Sequence, residues 1–307
     1  MSTFLVTGGS GCIGSRILHR LGAQGHTVYA LQRSEFIRRE PGVQYEYCDL
    51  TTISEARLCA LFERVQPEVL IHCAALTNVD ACEGLRELAY ALNAAATYRL
   101  ARVCGRYGVH CLFLSTDYVY DGTSPRPYLE EDQVRPLSVY GQSKLLGERA
   151  VQEVCESWTI CRTAVVYGSV GGARQDFTLW LAQQLQRKQP VRIVCDQVSS
   201  PTYVEDLVEQ ILALASLRAQ GIYHTAGSSM LDRYQFALLV ARFLSANETL
   251  ISPILSDELA QKAQRPTYAG LCIEKISRKI GVRPLSVEEG LTRCMTAIKE
   301  QSLLSAA

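Results

Sequence analysis

A short apolar run, Thr3-Phe4-Leu5-Val6-Thr7, passes directly into Gly8-Gly9-Ser10-Gly11-Cys12-Ile13-Gly14, and a helical pattern follows over 12–24. Strand, glycine turn and helix in that order open a βαβ unit, and few folds accept such a start. Glycine at Gly8, Gly11 and Gly14 allows a tight turn and close approach of backbone to a ligand. With Cys12 and Ile13 the turn feeds a helix N-terminus, whose free N–H groups and positive dipole end suit a pyrophosphate.

The alternation continues along the chain. Further strands are expected at 26–31, 43–47, 69–73, 110–115 and 159–166, with helices over 54–65, 78–106 and 140–156. Apolar strands separated by helices predict an α/β fold, a Rossmann-type doubly wound parallel sheet covered on both faces. Beyond Tyr167 the pattern loosens into a helix at 177–187, a strand at 191–194, a turn at Ser200-Pro201 and helices at 204–217, 232–244 and 287–298. We therefore divide the chain into a dinucleotide-binding domain, 1–165, and a smaller C-terminal α/β substrate-binding domain, 166–307. The helix at 204–217 is expected to pack back on the first domain.

Composition narrows the partners. The 307 residues, 48% of them hydrophobic, suffice for a sizeable core. Thirty-one basic residues balance thirty-one acidic ones, so no global field draws in nucleic acid or an acidic membrane surface, and neither is expected as a partner. No apolar run reaches membrane-spanning length, and a first strand beginning by Thr3 leaves no room for a signal peptide. The twelve cysteines contain no C-x-x-C pair, and none of the five histidines stands with a cysteine in a zinc-like pattern, so no metal is expected. Cys48, Cys73, Cys111, Cys161 and Cys195 lie in or beside apolar runs, where cysteine acts as a small hydrophobe. A reducing cytoplasm is the simplest compartment.

Two further positions carry chemistry. Tyr140 and Lys144, in V-Y-G-Q-S-K, are four apart and share one helix face. In water both titrate near ~10, and a neighbouring cation favours the phenolate; a downward shift of about three units corresponds to roughly 4 kcal/mol. Such a phenol could give its proton to a carbonyl oxygen. At the end of the second strand the chain reads Gln32-Arg33-Ser34, without the acidic residue that accepts from the ribose 2′-OH of NAD. Arg33 with Ser34 suits a 2′-phosphate instead, so NADP(H) is favoured over NAD(H).

These pieces resemble the extended short-chain dehydrogenase/reductases, and within them the dTDP-4-dehydrorhamnose reductases. The likeness runs through T-G-G-S-G-C-I-G, Cys48-Asp49-Leu50, His72-Cys73-Ala74-Ala75, Thr77-Asn78-Val79-Asp80, Leu92-Asn93 and S-T-D-Y-V-Y-D-G over 115–122. It continues with Tyr140/Lys144, R-T-A-V-V-Y-G over 162–168, Asp196-Gln197, Pro201-Thr202, Tyr223-His224 and Arg265-Pro266. Related sugar-nucleotide dehydratases carry Glu where this chain has Tyr118, which favours simple reduction. The resemblance implies that Thr116 hydrogen-bonds a substrate carbonyl, that Tyr140 donates the proton, and that Lys144 binds the nicotinamide ribose and keeps the phenol acidic. Asp49 and Leu50 would border the adenine, while Cys73, Ala74 and Ala75 would line the cofactor cleft. Asp117 and Tyr118, with Thr77, Asp176 and Arg265, are the substrate-facing candidates.

The implied activity is NADPH-dependent reduction of the 4-keto group of a nucleotide-linked deoxysugar, in dTDP-L-rhamnose-type biosynthesis. Relatives often pair through helices of the nucleotide-binding domain, which implies a homodimer. Three places depart from the family: Val165 where a Trp is usual, Asp176 where an Asn is usual, and the pair Tyr268-Ala269 in place of Asn-Ser. All fall in the substrate half. Two other readings stay open. One is reduction or epimerisation of a different nucleotide sugar; the other is a non-catalytic NADP-binding regulator resembling the methionine adenosyltransferase β subunit.

Overall fold

The runs between the helices become strands of one parallel sheet. The computed structural model describes residues 1–33, 39–168 and 176–305, with side chains as far as Thr296. Across the sheet the strands lie in the order Gly221–His224, Trp158–Thr163, His110–Thr116, Val69–His72, Thr3–Thr7, Thr27–Gln32 and Val43–Tyr47. Every neighbouring pair is parallel. Each residue of Val69–His72 and His110–Thr116 is buried, as expected of central strands with helices on both faces. Strand order reverses between Thr3–Thr7 and Val69–His72, so a crevice opens beyond their C-terminal ends, where open α/β sheets bind ligands.

Helices cover the two faces by burying one stripe each. Helix Cys12–Ala23 turns Ile17, Leu18 and Leu21 inward and packs against Val204–Ser216, whose Leu207, Val208, Ile211 and Leu214 are fully buried in the same core. Helices Glu55–Val65, Ala96–Tyr107 and Val139–Val154 contribute to the core on the opposite face. A third core gathers Tyr167, Leu181, Ile193, Tyr203, Phe236, Val240, Val287 and Leu291 beneath helices Phe177–Gln186, Arg233–Phe243 and Val287–Ser305.

Several elements differ from the sequence expectation. The expected helix over 78–106 is broken: Val79–Gly84 and Arg86–Tyr90 are separated by Leu85 (φ −118°, ψ 45°), and a π-helical turn, Ala91–Ala95, precedes Ala96–Tyr107. The wider turn accompanies a wholly buried Asn93 whose amide accepts from Leu76 N at 2.8 Å and donates to Leu76 O at 3.1 Å. The strand expected over 159–166 ends at Thr163, because Val165 takes φ +41°, and Val166–Tyr167 pairs with Thr202–Tyr203 instead. A β-branched residue in the left-handed region stores about 1–3 kcal/mol of strain. Gly221–His224 was not anticipated as a strand, yet it extends the main sheet. Ile251–Ile254, paired with Val191–Val194, and helix Glu274–Ile280 were also missed.

Among the described residues no cysteines are joined by a disulfide, and no helix is long and apolar enough to cross a membrane. At the start of the fifth strand in chain order, His110 lies between Ser157 Oγ (2.7 Å) and Thr159 Oγ1 (2.9 Å). Burial pushes its pKa down to about 4, with the Arg218 charge acting in the same direction. Below about 6.5 the unfolded chain takes up a proton that the folded chain refuses, so this contribution is present above that pH and is lost on acidification toward 4. Between pH 7 and pH 5 the wild type should lose about 2 kcal/mol more than His110→Gln. Urea midpoints at the two pH values test this; equal losses would show that His110 is not held neutral.

Candidate active site

The glycine turn is shaped by what a side chain would strike. At Gly8 (φ +71°) a Cβ would stand 2.6 Å from Ala74 N, and at Gly14 it would stand 2.3 Å from Gly8 O. Gly11 N donates to Gly8 O at 2.9 Å, and Gly11 is the extended N-cap of helix Cys12–Ala23. The floor beside the turn is tied down by Thr7, whose hydroxyl meets His72 Nδ1 at 2.6 Å and accepts from Ala74 N at 3.2 Å. Cys73, Ala74 and Ala75 are half-buried along this edge.

Farther out, Asp49 accepts from Thr51 N (2.9 Å) and Thr51 Oγ1 (2.6 Å), which lowers its pKa, and the Arg33 charge adds to the same effect. Arg33 itself is exposed, and the Leu50 side chain is buried in the core. Ser34 lies outside the described residues. Among the described residues, two buried side-chain oxygens at strand ends have no partner: Gln32 Oε1 at the end of the second strand and Thr163 Oγ1 at the end of the sixth. A glycine cradle that no Cβ could enter, together with orphaned oxygens at strand ends, fits a dinucleotide stretched across the switch point.

Thr116 ends the fifth strand and caps the short 3-10 turn Asp117–Val119, accepting from Tyr118 N at 3.2 Å. Helix Val139–Val154, capped by Ser138, runs beside this turn. The approach is close enough that a Cβ at Gly141 would stand 2.2 Å from Tyr118 O. That proximity sets the Tyr140 phenol near enough to Thr116 for the threonine hydroxyl to act on its pKa. The Tyr140 ring is buried among Cys82, Ala89 and Val139, edge-on to Tyr118 at 5.7 Å between centroids.

Lys144, one turn further along, is 3% exposed. Its Nζ donates to Leu114 O at 2.6 Å and lies 4.0 Å from the centroid of Phe113. Burial pushes its pKa down to about 7, against the pull of Glu148. The expected acidification of Tyr140 by Lys144 is not what this structure shows. Burial raises the phenol pKa, and the neighbouring Thr116 hydroxyl only partly reverses the rise. The reason is dielectric: the cost of removing a phenolate from water outweighs the opposing effect of Thr116, and the charges of Asp117 and Tyr118 add to the rise.

Behind the site lies a closed polar network. Arg162 Nε donates to Glu148 Oε1 (2.9 Å) and Nη2 to Oε2 (2.6 Å), while Ser115 Oγ donates to Oε1 (2.5 Å). Arg162 Nη1 also reaches Tyr120 OH (2.7 Å), which meets His224 Nε2 (2.7 Å). This network joins the Tyr140 helix to strands His110–Thr116, Trp158–Thr163 and Gly221–His224. Asn93 Nδ2 donates to Ser143 Oγ at 3.0 Å, tying the π-helical turn to the same helix.

The opposite wall holds the expected substrate residues in unequal roles. Asp117 is buried, its pKa pushed up to about 7, with the hydrogen bond from Thr116 (3.0 Å) opposing the rise. Burial also raises the pKa of Tyr118. Arg265 gives two hydrogen bonds to Asp80 (2.6 and 3.1 Å) and one to Ala263 O (3.0 Å). Thr77 is exposed on the loop before Val79–Gly84. Asp176 is the N-cap of helix Phe177–Gln186, accepting from Leu179 N (3.0 Å) and Thr178 Oγ1 (2.7 Å). Arg174 and Gln175 lie outside the described residues. Sequence reasoning missed Arg233, the first residue of Arg233–Phe243, whose charge acts on both Asp117 and Tyr118. No local motif marks it.

A dinucleotide crevice that ends at paired hydroxyls, with a buried lysine one turn along the tyrosine's helix, is the plan of the extended short-chain dehydrogenase/reductases. Comparison with known proteins narrows this class. The model of the RmlD substrate binding domain matches residues 1–300. The spore coat polysaccharide biosynthesis protein SpsK of Bacillus subtilis is 34% identical, over 95% of this chain and 96% of that protein. The dTDP-4-dehydrorhamnose reductase of Mycobacterium tuberculosis is also 34% identical, over 87% of this chain and 84% of its own. Among solved structures, the dTDP-4-dehydrorhamnose reductase of Bacillus anthracis, in complex with NADP, superposes with a TM-score of 0.84 at 27% identity, covering 96% of this chain and 99% of that one. The chain belongs to the dTDP-4-dehydrorhamnose reductase family and is an oxidoreductase.

Proposed function

We propose that the protein reduces the 4-keto group of a nucleotide-linked deoxysugar with NADPH, as in dTDP-L-rhamnose-type biosynthesis. What supports this reading is Thr116 at the C-terminal end of a central strand, with Tyr140 beside it on the helix that packs against the following turn. NADPH, when bound, supplies the hydride. Thr116 and Tyr140 hold the ketone oxygen between two hydroxyls and orient its carbon. Tyr140 then gives its phenolic proton to that oxygen as negative charge builds there. Its raised pKa suits a proton donor, because the proton stays on the phenol until a more basic alkoxide forms. Lys144, which donates to Leu114 O and lies over the Phe113 ring, would meet the nicotinamide ribose when the dinucleotide is bound. Gly8, Gly11, Cys12, Ile13 and Gly14 would cradle the pyrophosphate, while Cys73, Ala74, Ala75, Asp49 and Leu50 would border the rest of the dinucleotide.

Oxidation of NADPH on adding dTDP-4-keto-6-deoxy-L-mannose, followed by absorbance, tests the reading. Absence of turnover with this and with other keto-sugar nucleotides would sink it. For the cofactor, Arg33 is exposed at the end of the second strand, with no acidic residue beside it there, which favours a 2′-phosphate. Arg33→Ala should weaken NADPH binding about ten- to a hundred-fold while leaving NADH binding nearly unchanged. An equal ratio of the two affinities before and after substitution would remove the preference for NADP(H). The homodimer belongs to the same proposal: Leu85, Leu88, Tyr98 and Leu146 are exposed apolar residues on the helical side that carries Ala96–Tyr107 and Val139–Val154. The cytoplasm remains the proposed compartment, with its thiols kept reduced.

A further inference from the structure

We propose that Arg233 grips the diphosphate of the substrate, and that Arg265, the cation singled out by the sequence, does not. The inference rests on the nucleotide-sugar reading above. Its ground is a contrast among the arginines of this region. Arg162 is matched by Glu148 through two hydrogen bonds. Arg265 is matched by Asp80 in the same manner and gives a further N–H to Ala263 O. Arg233 has no ion pair and no hydrogen bond from its guanidinium among the described residues; its neighbour there is the Phe177 ring, 5.1 Å from Cζ.

Half-buried and without a counter-ion, such a cation is held at a cost, and burial lowers its pKa. Asp117 is the carboxylate whose charge acts on it, but Asp117 is turned to the Thr116 hydroxyl. The positive charge of Arg265 makes the position less favourable still. An anion entering between these elements would relieve both effects.

Position and shape indicate which anion. Arg233 starts a helix whose N-terminus is fixed by a capping box between Asp232 and Gln235, so its backbone is anchored. Its charge reaches Asp117 and Tyr118, the residues that follow Thr116. A group bound there is tethered to whatever lies between Thr116 and Tyr140. A guanidinium over an aromatic ring keeps its N–H edge available, and its fork matches two phosphoryl oxygens. A nucleoside diphosphate linked to a sugar carries such oxygens beside the ring to be reduced.

The test is titration of the intact protein with dTDP, followed by calorimetry, in wild type, Arg233→Gln, Arg233→Lys and Arg265→Gln, with NADPH binding measured in each as a control on folding. Arg233→Gln is expected to bind dTDP at least ten-fold more weakly. Arg233→Lys, which keeps the charge but not the fork, should fall between it and wild type. Arg265→Gln should lose less than Arg233→Gln. In turnover, Arg233→Gln should raise KM for the nucleotide sugar with kcat changed by no more than a few-fold. Both Arg233 variants are made so that one reports even where the other fails to fold. Unchanged dTDP affinity in a folded Arg233 variant, beside a wild type that binds dTDP, overturns the inference and leaves the reductase reading standing. A wild type that neither binds dTDP nor reduces a keto-sugar nucleotide overturns the reading itself.

Discussion

Tyr140→Phe is expected to lower turnover by about two to four orders of magnitude, the usual worth of a positioned proton donor. The substitution deletes one oxygen and little else. The ring keeps its place among Cys82, Ala89 and Val139 and its edge-on contact with Tyr118. The glycine cradle at Gly8 and Gly14 is untouched, so NADPH affinity should stay within a few-fold of wild type. Single-turnover kinetics with saturating NADPH separate this loss from any change in product release. Thr116 would still hydrogen-bond a carbonyl, so residual activity is expected above that of a Thr116→Val/Tyr140→Phe double variant. Unchanged turnover in Tyr140→Phe would remove the phenol from the chemistry.

The largest expected effect on stability comes from Glu148→Ala, at about 3–5 kcal/mol, the range for breaking a buried ion pair from one side. Glu148 and Arg162 side chains are 1% and 3% exposed. Without the carboxylate, Arg162 keeps its bond to Tyr120 but loses its counter-charge, and Ser115 Oγ loses its acceptor. Lys144 also loses the neighbour that opposes its discharge by burial. Activity should therefore fall together with stability. Replacing both partners by apolar residues, as in Glu148→Leu/Arg162→Met, should recover much of the stability, since no orphaned charge remains. Denaturant midpoints with unchanged slopes check this. A loss below about 1 kcal/mol in Glu148→Ala would show that water reaches Arg162 and that the network is not closed.

Local physics made the cofactor half of the site readable. A strand, three glycines and a helix are contiguous in the chain, and their geometry follows from φ freedom and the N–H groups of one helix end. Tyr140 and Lys144 were readable for the same reason, since helical spacing alone puts them on one face. The substrate wall was less legible, because its members come from distant segments. Asp80 pairs with Arg265 across 185 positions, and the charge of Arg233 acts on Asp117 only through the packing of the second half on the first. Gly221–His224 was missed because, between Gly221 and His224, only Ile222 and Tyr223 favour a strand; pairing with the edge of Trp158–Thr163 makes it one.

From residue order alone came the doubly wound sheet, the turn prepared for a pyrophosphate, and the pairing of Tyr140 with Lys144 on one helix face. All of these rest on contacts within a few residues or on the period of one element. Protonation state and charge balance were decided by tertiary structure. Lys144 is pulled down to about 7, Tyr140 is raised rather than acidified, and among the described residues Arg233, unlike Arg265, has no counter-ion. Desolvation and pairing depend on which distant groups are brought into contact and how much water is excluded, and neither quantity is written in local spacing.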